Sequence, residues 1–282
     1  MSFSTKLYRL TVALLTAGIL ATASVASAQT SQLKRMPLDA DPTFDVATIK
    51  PNTSGEANLQ MLRFGENDFE MRNASLVDVI TYAYNVQSKQ IVGGPEWMSH
   101  DRYDIKAKPD ILGVPSPGQM RSLVRKLLAD RFKLTFHTEK KQMSAYVLTV
   151  AKTGSKLKQT EFHGPGMSFG LVPKRNGISL PVRNETMSDF AGVLQSTVLD
   201  RPVVNNTELS DKYDFALTFM PDDSQFNGHP PILNGQAPNA EAVDASPSLF
   251  DAMQQQLGLK LDAQKTAVDT IAIDRVERPS AN

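Results

Sequence analysis

Two stretches of this sequence are variants of one another. Asn73-Ala74-Ser75-Leu76-Val77-Asp78 returns as Asn184-Glu185-Thr186-Met187-Ser188-Asp189, and Asp101-Arg102-Tyr103-Asp104-Ile105 returns as Asp211-Lys212-Tyr213-Asp214-Phe215, at offsets of 111 and 110. Farther along, Ser116-Pro117 is expected to open one helix and Ser246-Pro247 another, Phe132-Lys133-Leu134 after the first corresponds to Leu259-Lys260-Leu261 after the second, and the apolar alternating run 146–151 is matched by 269–274. Landmarks kept in one order imply a duplicated module, so the fold must be one that closes a small core twice.

Each landmark has a physical task. Ser75 and Thr186 stand just before apolar-periodic runs, where a side-chain oxygen caps the free N–H groups of a helix. Asp78 and Asp189 follow three residues later, in capping-box position and at the positive end of the helix dipole. Leu76, Val79, Ile80 and Ala83 have one-face helical spacing, as have Met187, Phe190, Ala191 and Leu194, and Met120, Leu123, Val124, Leu127 and Leu128. Residues 103–107, 213–219 and 133–137 alternate as strands, and Lys140-Lys141-Gln142 is expected to form the polar turn of a hairpin before the strand at Tyr146. Each copy reads β-α-β-β-α-β-β. The expected fold is α+β: two tandem repeats of that module, with helices on one face of mostly antiparallel sheets.

The first residues stand apart. Lys6 and Arg9 precede an almost uncharged apolar run from Leu10 to Val25, and Ala26-Ser27-Ala28 supplies the small residues of a signal-peptidase site. Residues 1–28 are therefore read as a signal peptide and 29–43 as a disordered N-terminal segment. The first repeat is placed at 44–152, a linker at 153–177, and the second repeat at 178–279 with a mobile insertion, rich in Pro, Asn, Gly and Asp, at 221–245. Cleavage leaves no membrane span in the mature chain and a secreted or periplasmic protein. The absence of cysteine excludes thiol catalysis, zinc–thiolate sites and iron–sulfur clusters. A formal charge of zero gives no field to recruit nucleic acid.

Several segments resemble one family: Ile91-Val92-Gly93-Gly94-Pro95-Glu96-Trp97, the run 102–109 (Arg-Tyr-Asp-Ile-Lys-Ala-Lys-Pro), Leu127-Leu128-Ala129-Asp130-Arg131-Phe132-Lys133-Leu134, Arg201-Pro202-Val203-Val204, and Gln256-Leu257-Gly258-Leu259-Lys260-Leu261. Together they are similar to an uncharacterised, soil-associated secreted family expanded in acidobacteria, over residues 44–279. Asn205-Asn206 departs from the Asp-Lys more common there, and Glu208 stands where glycine is common. The family brings no catalytic residue to transfer. Its association with membrane-bound sensor peptidases implies a sensing or docking role. Each half is also similar in element order to the short N-terminal domains of secretins and TonB-dependent receptors, a likeness of fold alone.

Catalytic patterns are weak. Gly166-Met167-Ser168-Phe169-Gly170 matches a hydrolase nucleophile motif but lies in the linker, without the strand and helix that would expose the serine. Lys152-Thr153-Gly154 and Ser155-Lys156 mimic penicillin-binding motifs, yet neighbours in sequence cannot occupy facing walls of a cleft. Histidines 100, 137, 163 and 229 show no ligand spacing, so no metal and no cofactor is expected. Asp101, Asp104, Asp211 and Asp214 belong to the repeat, which favours an architectural role over acid–base work.

Two surfaces remain. Seven basic residues against two acids in 119–141 define an anionic-ligand candidate at Arg121, Arg125, Lys126 and Arg131. Gly93-Gly94-Pro95-Glu96-Trp97 joins two conformationally free glycines to the only tryptophan, whose ring serves either the core or an interface. The expected function is an exported, non-catalytic binding or sensing module for an envelope protein, a peptide or a cell-wall fragment. The alternative is an extracytoplasmic hydrolase with its site between the repeats.

Overall fold

A computed structural model describes residues 35–55, 60–62, 68–164, 166–168 and 170–279, with side chains left out of account at 60–62 and 167–168. The signal peptide expected at 1–28 lies outside the described residues, as does 29–34. The first half runs β1 (Phe44–Pro51), β2 (Gln60–Leu62), β3 (Phe69–Ala74), α1 (Leu76–Tyr84), β4 (Ile91–Val92), α2 (Trp97–His100), β5 (Tyr103–Pro109), α3 (Pro117–Arg131) and β6 (Thr135–Val150). The second runs β7 (Lys158–Gln159), β8 (Met167–Ser168), β9 (Val172–Lys174), β10 (Gly177–Thr186), α4 (Met187–Val193), β11 (Val203–Asn205), β12 (Lys212–Phe219), α5 (Leu249–Ala252) and β13 (Leu259–Arg275). Helices combine with mostly antiparallel sheets, an α+β architecture.

The caps form where the residue pattern requires them. Ser75 Oγ accepts from Asp78 N–H at 3.1 Å while the Asp78 carboxylate accepts from Ser75 N–H at 2.8 Å. Thr186 and Asp189 make the same reciprocal pair at 3.1 and 3.3 Å. Just upstream, Asn73 and Asn184 both adopt φ 54°, the left-handed region that asparagine tolerates better than most residues. Their buried N–H groups donate to Asp104 Oδ1 at 3.0 Å and Asp214 Oδ1 at 2.7 Å. The β3–β5 and β10–β12 registers slip at these same places. Asp104 and Asp214 thus hold the kink between strand and helix. Asp214→Ala leaves a buried N–H unpaired and is expected to lower unfolding stability by about 2 kcal/mol. Asp214→Asn, which keeps an acceptor oxygen, should lose clearly less; urea melts of the two variants check this.

The strands form three sheets, ordered β1-β5-β3-β2, β7-β12-β10-β8 (with β9 also on β10), and β11-β6-β13-β4. In the third, β6 and β13 pair antiparallel along nearly their whole length, while β11 lies parallel to β6 and β4 parallel to β13. Strands from the two halves therefore alternate between partners. One core gathers Leu76, Val79, Ile80, Tyr103, Leu127, Leu128 and Phe132 with Ile271 from β13. The other gathers Met187, Phe190, Leu194, Tyr213, Leu217 and Leu257 with Tyr146 and Leu148 from β6. Each core is completed by a strand that begins in the other half.

Four expectations are corrected. Lys140-Lys141-Gln142 is no hairpin turn: β6 is one 16-residue strand, and the polar triplet lies in its exposed middle. Ser248, not Ser246, caps α5, accepting from Asp251 N–H at 3.2 Å, because Pro247 is flanked by serines and the helix starts after the second. By backbone geometry Phe132-Lys133-Leu134 aligns with Leu257-Gly258-Leu259 and not with Leu259-Lys260-Leu261: Lys133 (φ 51°) and Gly258 (φ 66°) are the left-handed residues that close the two helices. A π-helical turn over Met253–Leu257 hides that shift in the sequence. Finally, residues 35–43 are not unstructured throughout. Met36 is buried, its N–H donates to Val114 O at 3.0 Å, and Gln119 Nε2 donates to Pro37 O at 2.7 Å.

The linker and insertion are used as well. Within 153–177, β7 adds to β12 and β9 to β10. Within 221–245, Gln225 is fully buried, the Phe226 ring stacks on Phe219 with centroids 6.3 Å apart, and Asn239 N–H donates to Arg175 O at 2.8 Å.

Candidate functional site

Gly93 and Gly94 have φ of 75° and 78°, so the chain turns sharply out of β4 into α2. At Gly94 a side chain would be strained by the φ of 78° and would also require the Met98 thioether, 2.5 Å away, to move aside. The turn sets Trp97 half-buried at the rim of the first core. Residues after β13 cross this face: Val276 packs on the core, Glu277 N–H donates to Phe132 O at 2.7 Å, and Arg278 reaches Trp97. The Arg278 guanidinium stands 5.0 Å from the indole centroid, in cation–π range, and its Nε donates to Asp101 Oδ2 at 2.7 Å. Tyr103 OH donates to the same oxygen at 3.4 Å. Burial, then the Asp101 charge, raises the Tyr103 pKa.

Beside this cluster lies a groove of about 500 Å³, lined by Ile49, Pro51, Asn52, His100, Asp101, Arg102, Tyr103, Arg278 and Pro279. Arg102 Nη1 donates to Asp78 Oδ2 at 3.1 Å, which ties the groove wall to the cap of α1. Trp97, Gly93 and Gly94 were legible as candidates; Asp101 was read as architectural, and Arg278 carried no signal, because nothing local says that a residue so near the C-terminus returns to α2.

Three of the basic candidates on α3 already have partners within the chain. Arg125 Nε donates to Ala83 O at 2.7 Å, in the last turn of α1, with its guanidinium 5.2 Å from the Tyr84 centroid. Lys126 Nζ binds Asp41 Oδ1 at 2.7 Å and Pro42 O at 2.9 Å. Arg131 Nη1 donates to Ala47 O at 2.9 Å on β1. β1 is an edge strand, and Pro51 at its end lacks an N–H, so a carbonyl cap and a missing donor together discourage strand addition there.

Arg121 has a different neighbour. Its charge acts on Glu185, whose carboxyl is pushed up to about 7, first by burial and next by the charge and hydrogen bond of Asp189, against the pull of Arg121 and Lys212. The folded chain holds this proton where the unfolded chain has released it, so stability falls as pH rises from the ordinary carboxylate range through 7. Water screens part of the effect at a half-exposed group. Glu185→Gln should be more stable than the parent at pH 8 and approach it near pH 5, as read by thermal melts at both. An equal difference at the two values would remove this role.

Among the described residues, the motifs read in the sequence take architectural positions. Met167–Ser168 is a short strand on β10, and the next described element is strand β9, where a nucleophile elbow would lead into a helix. Lys156 N–H donates to Leu257 O at 2.9 Å, and Lys156 Nζ to Gln255 O at 2.7 Å: that segment closes the end of a helix. His137 Nδ1 pairs with Asp274 at 2.8 Å on the open sheet, with no hydroxyl bonded to the ring among the described residues. Nor do those residues include a cluster of three potential metal ligands, or a helix long and apolar enough to cross a membrane.

What the fold and groove define is an α+β scaffold with an amphipathic recess. The chain belongs to the family described as protein of unknown function (DUF3738), whose model matches residues 77–276. No curated protein and no solved structure matches it.

Proposed function

We propose that this chain is an exported, non-catalytic binding module of the cell envelope, built from two copies of one β-α-β-β-α-β-β unit, with the groove beside Trp97 as its binding face. The signal-peptide pattern supports export. Duplication is supported by the paired left-handed asparagines, the paired capping boxes and the exchange of strands in the third sheet.

The observation that carries the binding face is where the halves differ. Tyr103 and Tyr213 are equally buried, and Asp101 and Asp211 precede them alike. Yet Asp211 accepts from Gln159 of the adjoining strand at 2.5 Å, whereas Asp101 accepts from Arg278, seated on Trp97. Positions shared by both copies do architectural work; α2, Trp97 and Arg278 have no such obligation. Immobilised protein should capture a saturable partner from envelope extracts, and Arg278→Glu should abolish the capture while the chain still melts in one cooperative transition. Capture that is indifferent to Arg278→Glu would move the binding face elsewhere, and no saturable capture would end the reading.

A further inference from the structure

We propose that the groove beside Trp97 binds the C-terminal carboxylate of a peptide ending in apolar residues. This rests on the reading of that face as the binding face, and it names the chemistry the face takes.

The walls divide by character. Ile49, Pro51, Tyr103 and Pro279 are apolar; Arg102, Arg278 and His100 supply positive or protonatable groups; among the described residues Asp101 is the one carboxylate lining the groove, and its Oδ2 is already met by Arg278 and Tyr103. Asn52 is engaged as well, donating to Asp104 at 2.7 Å and accepting from Ser54 N–H at 2.9 Å. What the groove offers a ligand is therefore guanidinium. Arg102 bonds through Nη1 alone, so its Nε and Nη2 hydrogens remain for an acceptor. Arg278 bonds Asp101 through Nε and keeps its side chain 60% exposed. Arg102 is paired with Asp78 and Arg278 with Asp101, each carboxylate meeting a single guanidinium nitrogen, so what remains toward the groove is N–H donors, and a planar, two-oxygen anion matches the guanidinium fork.

The apolar walls then require that the anion carry an apolar group. A groove of about 500 Å³ lies within the range of sites that hold small ligands. It is open to solvent along one side, which suits a short peptide better than an acyl chain that must be enclosed. Asp101 adds an acceptor for a peptide N–H, which an acyl chain lacks. His100 Nδ1 is committed to Glu96 O at 2.9 Å, which leaves Nε2 as the ring's other contact atom.

Trp97 is the only tryptophan in the chain, so its emission reports on Arg278 directly. The purified full chain is titrated with N-acetyl-Ala-Ala-Leu bearing a free carboxylate, with the same peptide amidated, and with octanoate, followed by Trp97 fluorescence and calorimetry. The free acid should saturate, and the amide and octanoate should bind at least about tenfold more weakly. Arg278→Gln should weaken the free acid about tenfold, and Arg278→Lys should restore part of the loss. Equal binding of acid and amide, tighter binding of octanoate, no saturation by the acid, or indifference to Arg278→Gln would each overturn the proposal. Envelope capture lost in Arg278→Glu while the acid peptide fails would keep the binding face and reject only its chemistry; failure of both would remove both.

Discussion

Gly258→Ala is expected to destabilise the chain by about 2–5 kcal/mol, while Lys133→Gly at the equivalent helix end stays within about 1 kcal/mol of the parent. Both residues are left-handed, so the conformational requirement is shared. The difference is what lies against them. A Cβ on Gly258 would be driven into the Gly154 carbonyl and come within 2.9 Å of Lys156 N, both of them backbone atoms that cannot swing away. Lys133 instead points its side chain outward, half-exposed, 3.8 Å from Asp130. Replacing Lys133 with glycine relieves left-handed strain but adds freedom to the unfolded chain, and the two nearly cancel. Urea melts of both variants measure the contrast. A Gly258→Ala chain as stable as the parent would mean that the turn at 154–156 does not seat on the helix end.

Those two residues also mark the limit of what sequence can disclose here. Caps were legible because Ser75 with Asp78, and Thr186 with Asp189, are local signals whose chemistry acts over three residues. Strands β5 and β12 were legible because Tyr103, Ile105 and Ala107 alternate against the first core as Tyr213 and Leu217 do against the second. The long strands were not. Polarity at Lys140-Lys141-Gln142 marks exposure, and exposure arises equally at a turn and in the uncovered middle of a sheet. Ser246 and Ser248 flank one proline, and only the tertiary path chooses between them. Charge told only part of the story: Arg125, Lys126 and Arg131 form a basic run in sequence, and the fold holds each of them to a carbonyl oxygen that no spacing discloses. The groove was only half visible, because Asn52, Asp101 and Arg278 are brought together by the crossing of strands and not by spacing.

That crossing leads to the second large effect. Residues 35–152 produced alone are expected not to form a folded monomer, although they contain every element of the first half. Their core loses Ile271, buried to 6% exposure, together with Ile273 and Val276 that pack beside it; deletion of one such side chain costs about 2–5 kcal/mol. Tyr146 and Leu148, at 5% and 0% exposure in the second core, return to water at about 1.5–3 kcal/mol each. The sum rivals the whole stability of an ordinary domain, about 5–15 kcal/mol. β6 also loses its partner β13 along nearly its full length. One escape is open. Because β6 and β13 run antiparallel, a second copy of β6 can take the place of β13 about a true two-fold axis and restore both pairing and burial. The fragment is therefore expected either unfolded or as a homodimer, and mixing it with residues 153–279 should give a one-to-one complex that displaces the homodimer. Sedimentation with hydrogen exchange distinguishes these states, and a protected monomer of the fragment would show that the exchanged strands contribute little to either core.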